Sequence, residues 1–295
     1  MGHRPNCAPA VARSVPSASG RPGAASGHRA RRTPLRCIAG SDRPDARRYH
    51  SPLDRPRRRH GRRASPARYV DAWAFTFFLT SLLPAMPAEP TTLYVTRHGE
   101  TDYNRDHIMQ GSGVDSALNE TGRAQAEALA VHLADTPLDA VYASTLVRAR
   151  QTAKILGVPH EPLPYAYLDD LKEISWGVYE GTPPTDERTA AMKAIKTRWR
   201  AGEVEAPVEG GESPRQVERR ARRAIDVILE AHAGEHVLVV THGRYMRIML
   251  ASLLYDGDLT QMPNVPHANT GLYVVTHEHD TFEAQVTNSV RHLAS

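Results

Sequence analysis

Thr92-Leu93-Tyr94-Val95-Thr96-Arg97-His98-Gly99-Glu100-Thr101 decides the fold, because an apolar run gives way to charge and glycine within a few residues. The first five residues are mostly β-branched or aromatic and read as a buried strand. The polar residues after them fall where α/β proteins bind ligands, just beyond the carboxyl end of a strand. Working outward, residues 139–143 (DAVYA), His236–Thr241 (HVLVVT) and 272–276 (LYVVT) repeat the strand pattern, and 282–287 is expected to return beside the last as an antiparallel edge. Amphipathic stretches with helix start signals fill the gaps. Thr121 is expected to cap 122–134 and Ser144 to cap 146–156, and 185–201 reads as a helix. Ser213 and Pro214 open a long helix to about Ala231, which Gly234 closes. Gly243–Leu254 begins directly after a strand, and the acidic, glycine-rich segment 202–212 is expected to be a loop. Strand and helix in alternation predict an α/β three-layer sandwich with a central, mostly parallel sheet flanked by helices.

Charge divides the 295 residues into two unlike parts. Residues 1–85 hold 17 Arg, no Lys and 4 Asp, a net of +13; the other 20 basic and 29 acidic residues give 86–295 a net of −9. The first part is rich in Arg, Pro, Ala, Ser and Gly and lacks apolar periodicity over 1–68, so it is expected to be a disordered extension. The second is expected to be one folded domain. Four readings of 1–85 compete: a transit peptide, a nucleic-acid-binding tail, a secretory signal, or upstream sequence read in frame ahead of a true start at Met86. For the signal, 72–83 would be the apolar core and Ala88 would sit near the cleavage site. The Lys-free, Pro/Ala-rich composition favours the start at Met86. The apolar run 72–83 is shorter than the roughly 20 residues a membrane span needs, and 40% hydrophobic content with 24% charge points away from an integral membrane protein. A cytoplasmic location is expected. Both cysteines, Cys7 and Cys37, lie in the extension. A thiol nucleophile, a Cys-ligated metal and a disulfide are thereby excluded from 86–295.

Polar residues concentrate where the strands end. The first strand runs into Arg97-His98-Gly99, and the strand ending at Thr241 runs into His242-Gly243. Glycine after each histidine allows backbone amides to approach an anion, and the helix starting at Gly243 aims its partly positive end at the same place. Arg148 and Arg150 fall in the first turns of the helix after the second strand, and one of them is expected to face the cleft. Arginine there is mildly unfavourable to the helix dipole, which implies a compensating anion. Two histidines, arginine and a helix N-terminus suit a phosphate, whose oxygens guanidinium matches bidentately. No acidic cluster of metal-ligand spacing is nearby, so neither metal nor cofactor is expected. By residue type alone, a strand-end histidine is more often a hydrogen-bonded structural residue than a catalytic one, two histidines also fit half of a zinc site lacking its third ligand, and Glu173 in LKEISWGVYEG is more often an ordinary surface or ion-paired carboxylate.

Taken together, Arg97-His98-Gly99-Glu100-Thr101, Asn104, Ser144-Thr145-Leu146 with Arg148 and Gln151-Thr152, Glu173 and Thr241-His242-Gly243 resemble the histidine phosphatase superfamily, in its phosphoglycerate mutase-like branch. The resemblance covers roughly 92–287. It implies that His98 attacks phosphorus and becomes a phosphohistidine, and that Arg97, Arg148 and His242 surround the phosphoryl oxygens. Asn104, Gln110, Gly111 and Gly243 would also bind substrate. Glu173 would be the general acid for the leaving alcohol and then the base for water. That order needs His98 neutral, not held protonated by Glu100, and Glu173 protonated at the start, which favours mildly acidic to neutral conditions.

EISWGVYEG resembles the phosphatase type. Mutases carry an extended basic segment after this point that holds a second phosphate, whereas 182–212 here is short and net acidic near its end, so that second site is expected to be absent. Net hydrolysis of a small phosphorylated metabolite is therefore expected; a phosphoglycerate mutase and a non-catalytic phospho-ligand binding module are the alternatives. Residues 106–119 and the helix 185–201 are expected to wall the site, with Gln110, Tyr179 and Tyr245 as candidates to touch the organic part. Arg244 stands where relatives often carry a small residue, and suits either a second anionic group on the substrate or the acids of 202–212. The acidic charge of 86–295 makes nucleic acid an unsuitable partner for it. Oligomeric state is not legible.

Overall fold

The computed structural model describes residues 89–294. The expectations for 1–85, its apolar run and Met86 lie outside the described residues. In chain order the elements are β1 (Thr91–Arg97), α1 (Asp102–Arg105), α2 (Glu120–Leu133), β2 (Ala140–Ser144), α3 (Val147–Gly157), β3 (Tyr165–Leu168), α4 (Asp186–Arg200), α5 (Pro214–Ala231), β4 (His236–Thr241), α6 (Gly243–Leu254), β5 (Leu272–Glu278) and β6 (Thr281–Ser289).

The strands form one sheet in the order β3-β2-β4-β1-β5-β6. The first four are parallel, whereas β5 runs antiparallel to β1 and β6 antiparallel to β5. The sheet is thus mixed, and the reversal has a local cause. After α6 returns from the carboxyl edge, residues 255–271 carry the chain back, so Leu272 starts beside Thr96.

Strand alternation sorts the core into two layers. Leu93, Val95, Val237 and Val239 pack with residues of α4, α5 and α6, among them Trp199, Ile225 and Met249. Val141, Ala143, Leu238 and Val240 pack with Leu129 and Leu133 of α2 and Ala153 and Leu156 of α3. The parallel strands are apolar on both sides because both faces are covered. Each fully buried Leu or Val contributes on the order of 1.5–3 kcal/mol.

Local signals set most helix ends. Ser213 and Gln216 form a reciprocal capping box with Pro214 at the first turn of α5, and Thr185 caps α4. Two caps differ from expectation. Asn119, not Thr121, caps α2 by accepting from Gly122 N at 2.8 Å, which leaves Thr121 inside the first turn. At α3 the N-cap is Leu146 without a side-chain bond; Asp115 instead accepts from Val147 N at 2.6 Å. Among the described residues no helix is long and apolar enough to cross a membrane.

Candidate active site

β1 and β4 are neighbours, and Arg97 pairs in register with Thr241. The next residue on each strand is a histidine, so His98 and His242 emerge side by side with ring centroids 5.2 Å apart. Both are buried, at 3% and 0% exposure, and their Nδ1 contacts set opposite tautomers. His98 Nδ1 lies 2.7 Å from the Gly99 carbonyl, which only accepts, so Nδ1 carries the proton and Nε2 keeps its lone pair. Arg148 Nε donates to His242 Nδ1 at 3.2 Å, so the neutral His242 ring carries its proton on Nε2, which is buried with no partner. Burial, then the charges of Arg148 and Arg97, hold His98 well below the ordinary histidine range against the opposing Gly99 bond. Burial and the same cations, with His98, do so for His242. Glu100 is turned to Asn119 at 3.0 Å.

Arg148 is the arginine of α3 that faces the cleft. β2 lies beside β4, and Arg148 is fully buried, whereas Arg150 points outward over the Tyr167 ring at 5.1 Å. Besides His242, Arg148 donates to Val114 O at 2.6 Å and Gly111 O at 3.2 Å. Its five N–H groups are therefore only partly used. Arg97 donates to His267 O at 3.0 Å, and its buried Nε has no partner. Burial lowers the Arg148 pKa to about 10. Arg97, His98 and Arg148 line one cavity of about 390 Å³ with Asn104, Glu173 and Gly243.

Glu173 reaches this cavity from the loop after β3. Its Oε1 accepts from Ile174 N at 2.9 Å and Tyr245 N at 2.8 Å, and its Oε2 from Arg244 N at 3.0 Å. The carboxylate therefore sits on the N-terminus of α6, where the helix dipole favours it. Arg220 of α5 fixes the loop from behind. Its guanidinium donates to the carbonyls of Asp170 (3.0 Å), Lys172 (2.6 Å) and Glu173 (3.0 Å) and to both oxygens of Glu212.

The remaining expected positions divide. Asn104 uses Oδ1 to accept from Thr101 and from Asn269, leaving its NH2 group for the cavity that it lines. Gln110 lines the cavity and is held by Thr101 and Ser116. Gly243 is required by space: a Cβ there would lie 2.7 Å from His267 Cδ2 and 3.2 Å from Arg97 Nε. Gly111 instead supplies a carbonyl to Arg148, and a Cβ on it would strike Glu180. Gly99 is small for packing rather than for an anion, since its amide donates to Thr152 and a Cβ would lie 2.2 Å from Gly122 O. Tyr245 is fully buried beneath Arg220, and Tyr179 packs against the core; neither lines the cavity.

Sequence reading missed His267 and Asn269, which line the cavity. Asn269 Nδ2 donates to His98 O at 3.0 Å, and His267 is driven down to about pKa 3 by burial and then by Arg247 and Arg97. Residues ahead of a parallel strand would lie at the opposite end of the sheet. Only the reversal of β5 brings 267–269 to the site, and that reversal has no signature in the LYVVT pattern. Among the described residues no group of three or more His, Cys, Asp or Glu is placed to hold a metal ion.

Comparison with known proteins agrees with this geometry. The family model of the histidine phosphatase superfamily (branch 1) matches residues 93–290. Fructose-2,6-bisphosphatase TIGAR B of Danio rerio is 32% identical over 197 residues, covering 56% of this chain and 75% of the relative. The probable phosphoglycerate mutase GpmB of Yersinia pestis is 33% identical over 164 residues, covering 55% and 74%. Among solved structures, Bacillus stearothermophilus YhfR superposes with a TM-score of 0.61 at 35% identity, over 69% of this chain and 99% of that one. With the motifs, the mixed sheet and the paired histidines in agreement, the chain belongs to the histidine phosphatase superfamily, branch 1.

Proposed function

We propose that the protein hydrolyses small phosphomonoesters through a phosphohistidine on His98, without a metal. The observation that carries this reading is a neutral His98 with Nε2 unprotonated, in a cavity that also presents Arg97, Arg148 and Glu173. In the first displacement Nε2 attacks phosphorus, the bond from phosphorus to the ester oxygen breaks, and Glu173, entering the step with a proton on the Oε2 that accepts only from Arg244 N, gives that proton to the departing alkoxide. In the second, Glu173 takes a proton from water, the hydroxide attacks phosphorus and the N–P bond breaks, releasing inorganic phosphate. Arg97, Arg148, the Asn104 amide and the His242 Nε2–H group stabilise the charge on the transferring oxygens. A phosphate dianion entering between fixed donors needs little reorganisation.

The test is phosphate release by the full chain from a panel of phosphomonoesters with EDTA present. Wild type is expected to release phosphate and to trap acid-labile phosphohistidine. His98→Ala is expected to lose on the order of a thousand-fold or more. Activity rising steadily from pH 6 to 9 would remove Glu173 from the acid's role. The mutase reading, favoured by the likeness to GpmB, instead requires 2,3-bisphosphoglycerate for turnover and no free phosphate.

A further inference from the structure

The turn at 267–270 is tied to several groups of the phosphate cavity at once. His267 O accepts from Arg97 Nη1 at 3.0 Å, and Thr270 N donates to Arg97 O at 3.1 Å. Asn269 Nδ2 donates to His98 O at 3.0 Å and lies 3.4 Å from Asn104 Oδ1. The turn is not a relaxed one. Thr270 is fully buried with φ at +53°, a left-handed backbone that is an outlier for a β-branched residue. Such a conformation persists only where the surroundings hold it.

The hold comes from the segment after β6. Because β5 runs antiparallel to β1 and β6 antiparallel to β5, β6 points the same way as β1 and its carboxyl end arrives beside the site. Leu272 pairs with Ser289, which sets Asn288 against the turn. Asn288 Oδ1 accepts from Ala268 N at 2.9 Å, and a Cβ on Gly271 would lie 2.3 Å from that oxygen. A single 3-10 turn, Arg291–Leu293, then brings His292 to Thr270. His292 is 6% exposed, with its ring 6.1 Å from that of His132 on α2, and its Nε2 lies 3.0 Å from Thr270 Oγ1. The same hydroxyl lies 2.8 Å from Asn269 O, which only accepts and so takes the hydroxyl proton. His292 Nε2 is therefore the donor to Thr270. Burial, and then His132, hold His292 below the ordinary histidine range, so at neutral pH the ring is neutral and its one N–H is the one aimed at Thr270.

We propose that His292 is a positioning residue for the chemistry at His98. Its Nε2–H group fixes the Thr270 hydroxyl, and Thr270 fixes the Asn269 carbonyl. The turn so held keeps the Asn269 amide on the His98 carbonyl and the His267 carbonyl on Arg97, while Asn288 holds the turn at Ala268. His292 does not line the cavity, so its effect runs through the turn and not through substrate. Without its donor, Thr270 is free to relax toward negative φ, which carries Asn269 away from His98 and loosens the Arg97 fork. The inference rests on the phosphatase reading for what the cavity does.

Steady-state hydrolysis of p-nitrophenyl phosphate and calorimetric titration with inorganic phosphate, both on the full chain, test the assignment. His292→Leu removes the donor and is expected to lower kcat about ten-fold with KM within about two-fold, a part of the hundred-fold that a misplacement of roughly 1 Å can cost. His292→Gln, whose amide nitrogen reaches the place of Nε2, is expected to stay within about three-fold of wild type, whereas His292→Asn, whose amide ends near the place of Nδ1, is expected to behave as His292→Leu. Affinity for phosphate is expected to fall about three-fold in the Leu and Asn variants and to hold in the Gln variant. Thr270→Val deletes the hydroxyl at nearly constant shape and gives the same loss if His292→Leu fails to fold. Combined with His292→Leu it should lower kcat no further than either change alone, because both remove one bond. Equal losses in the Leu, Asn and Gln variants, a folded His292→Leu with wild-type kcat, or losses that multiply in the double variant overturn the assignment. A wild type that hydrolyses no ester removes the phosphatase reading instead. The phosphate affinities of the three His292 variants then decide the positioning role alone: a loss in Leu and Asn but not in Gln supports it, and any other pattern overturns it.

Discussion

His98 and His242 leave adjacent strands at equivalent positions, yet one presents a lone pair and the other a proton. Their Nδ1 neighbours make the difference, a carbonyl for His98 and a guanidinium for His242. Keeping both neutral has a consequence for stability. His98, His242 and His267 all have folded pKa values below the ordinary 6.5, whereas the unfolded chain protonates them near that value. Between the folded and unfolded values the unfolded state binds more protons, so stability rises with pH and is lost as pH falls below about 6.5. Each histidine contributes a slope of up to about 1.4 kcal/mol per pH unit. The denaturant midpoint is expected to drop between pH 6.5 and pH 4.5, and His267→Gln is expected to reduce the proton-linked slope by about one proton. Urea titrations at several pH values measure this, and a midpoint that stays flat in the wild type contradicts the neutral, buried rings.

At the scale of elements, the loop bearing Glu173 owes its position to α5. Arg220 is 8% exposed and holds the carbonyls of Asp170, Lys172 and Glu173 and the Glu212 carboxylate together. Glu212 in turn accepts from Ser175 N at 2.8 Å. Arg220→Met leaves those acceptors without their donor and is expected to cost about 3–5 kcal/mol, the range for breaking a buried ion pair. Because Arg97, Arg148 and His242 come from other elements, kcat should fall more than KM rises; a folded variant with wild-type kcat would deny the loop this role. The sequence does not single out Arg220, since Arg219, Arg222 and Arg223 stand beside it in α5 and only packing selects the inward one. What was legible were the strand, histidine, glycine and helix successions at β1 and at β4 with α6, because hydrophobic period and local caps both change there. β3 was missed because YAYL is short, half-exposed and at the sheet edge. The direction of β5 depends on tertiary packing, and His267 and Asn269 were hidden with it.

For the whole molecule, charge and core divide the chain more sharply than length does. The buried apolar residues described lie between Leu93 and Val275, and the lining of the first cavity lies between Arg97 and Asn269. Residues 86–295 thus contain the two core layers and the proposed chemistry, with a net charge of −9. A protein beginning at Met86 is expected to fold and to hydrolyse its esters with kcat/KM within about two-fold of the full chain, as for a domain with its own core. Polyanion binding should separate from catalysis. The 17 arginines of 1–85 can neutralise DNA phosphates, and about six such contacts would lower affinity on the order of a thousand-fold between 50 and 200 mM salt. The acidic remainder is expected to repel DNA. Filter binding with duplex DNA alongside phosphate release, on both forms, measures the two properties together. The full chain should bind in this salt-dependent way and the shorter form should not, with hydrolysis equal in both. Tight DNA binding by the shorter form would locate a basic nucleic-acid surface on the domain itself, and lost hydrolysis would make 1–85 part of the enzyme.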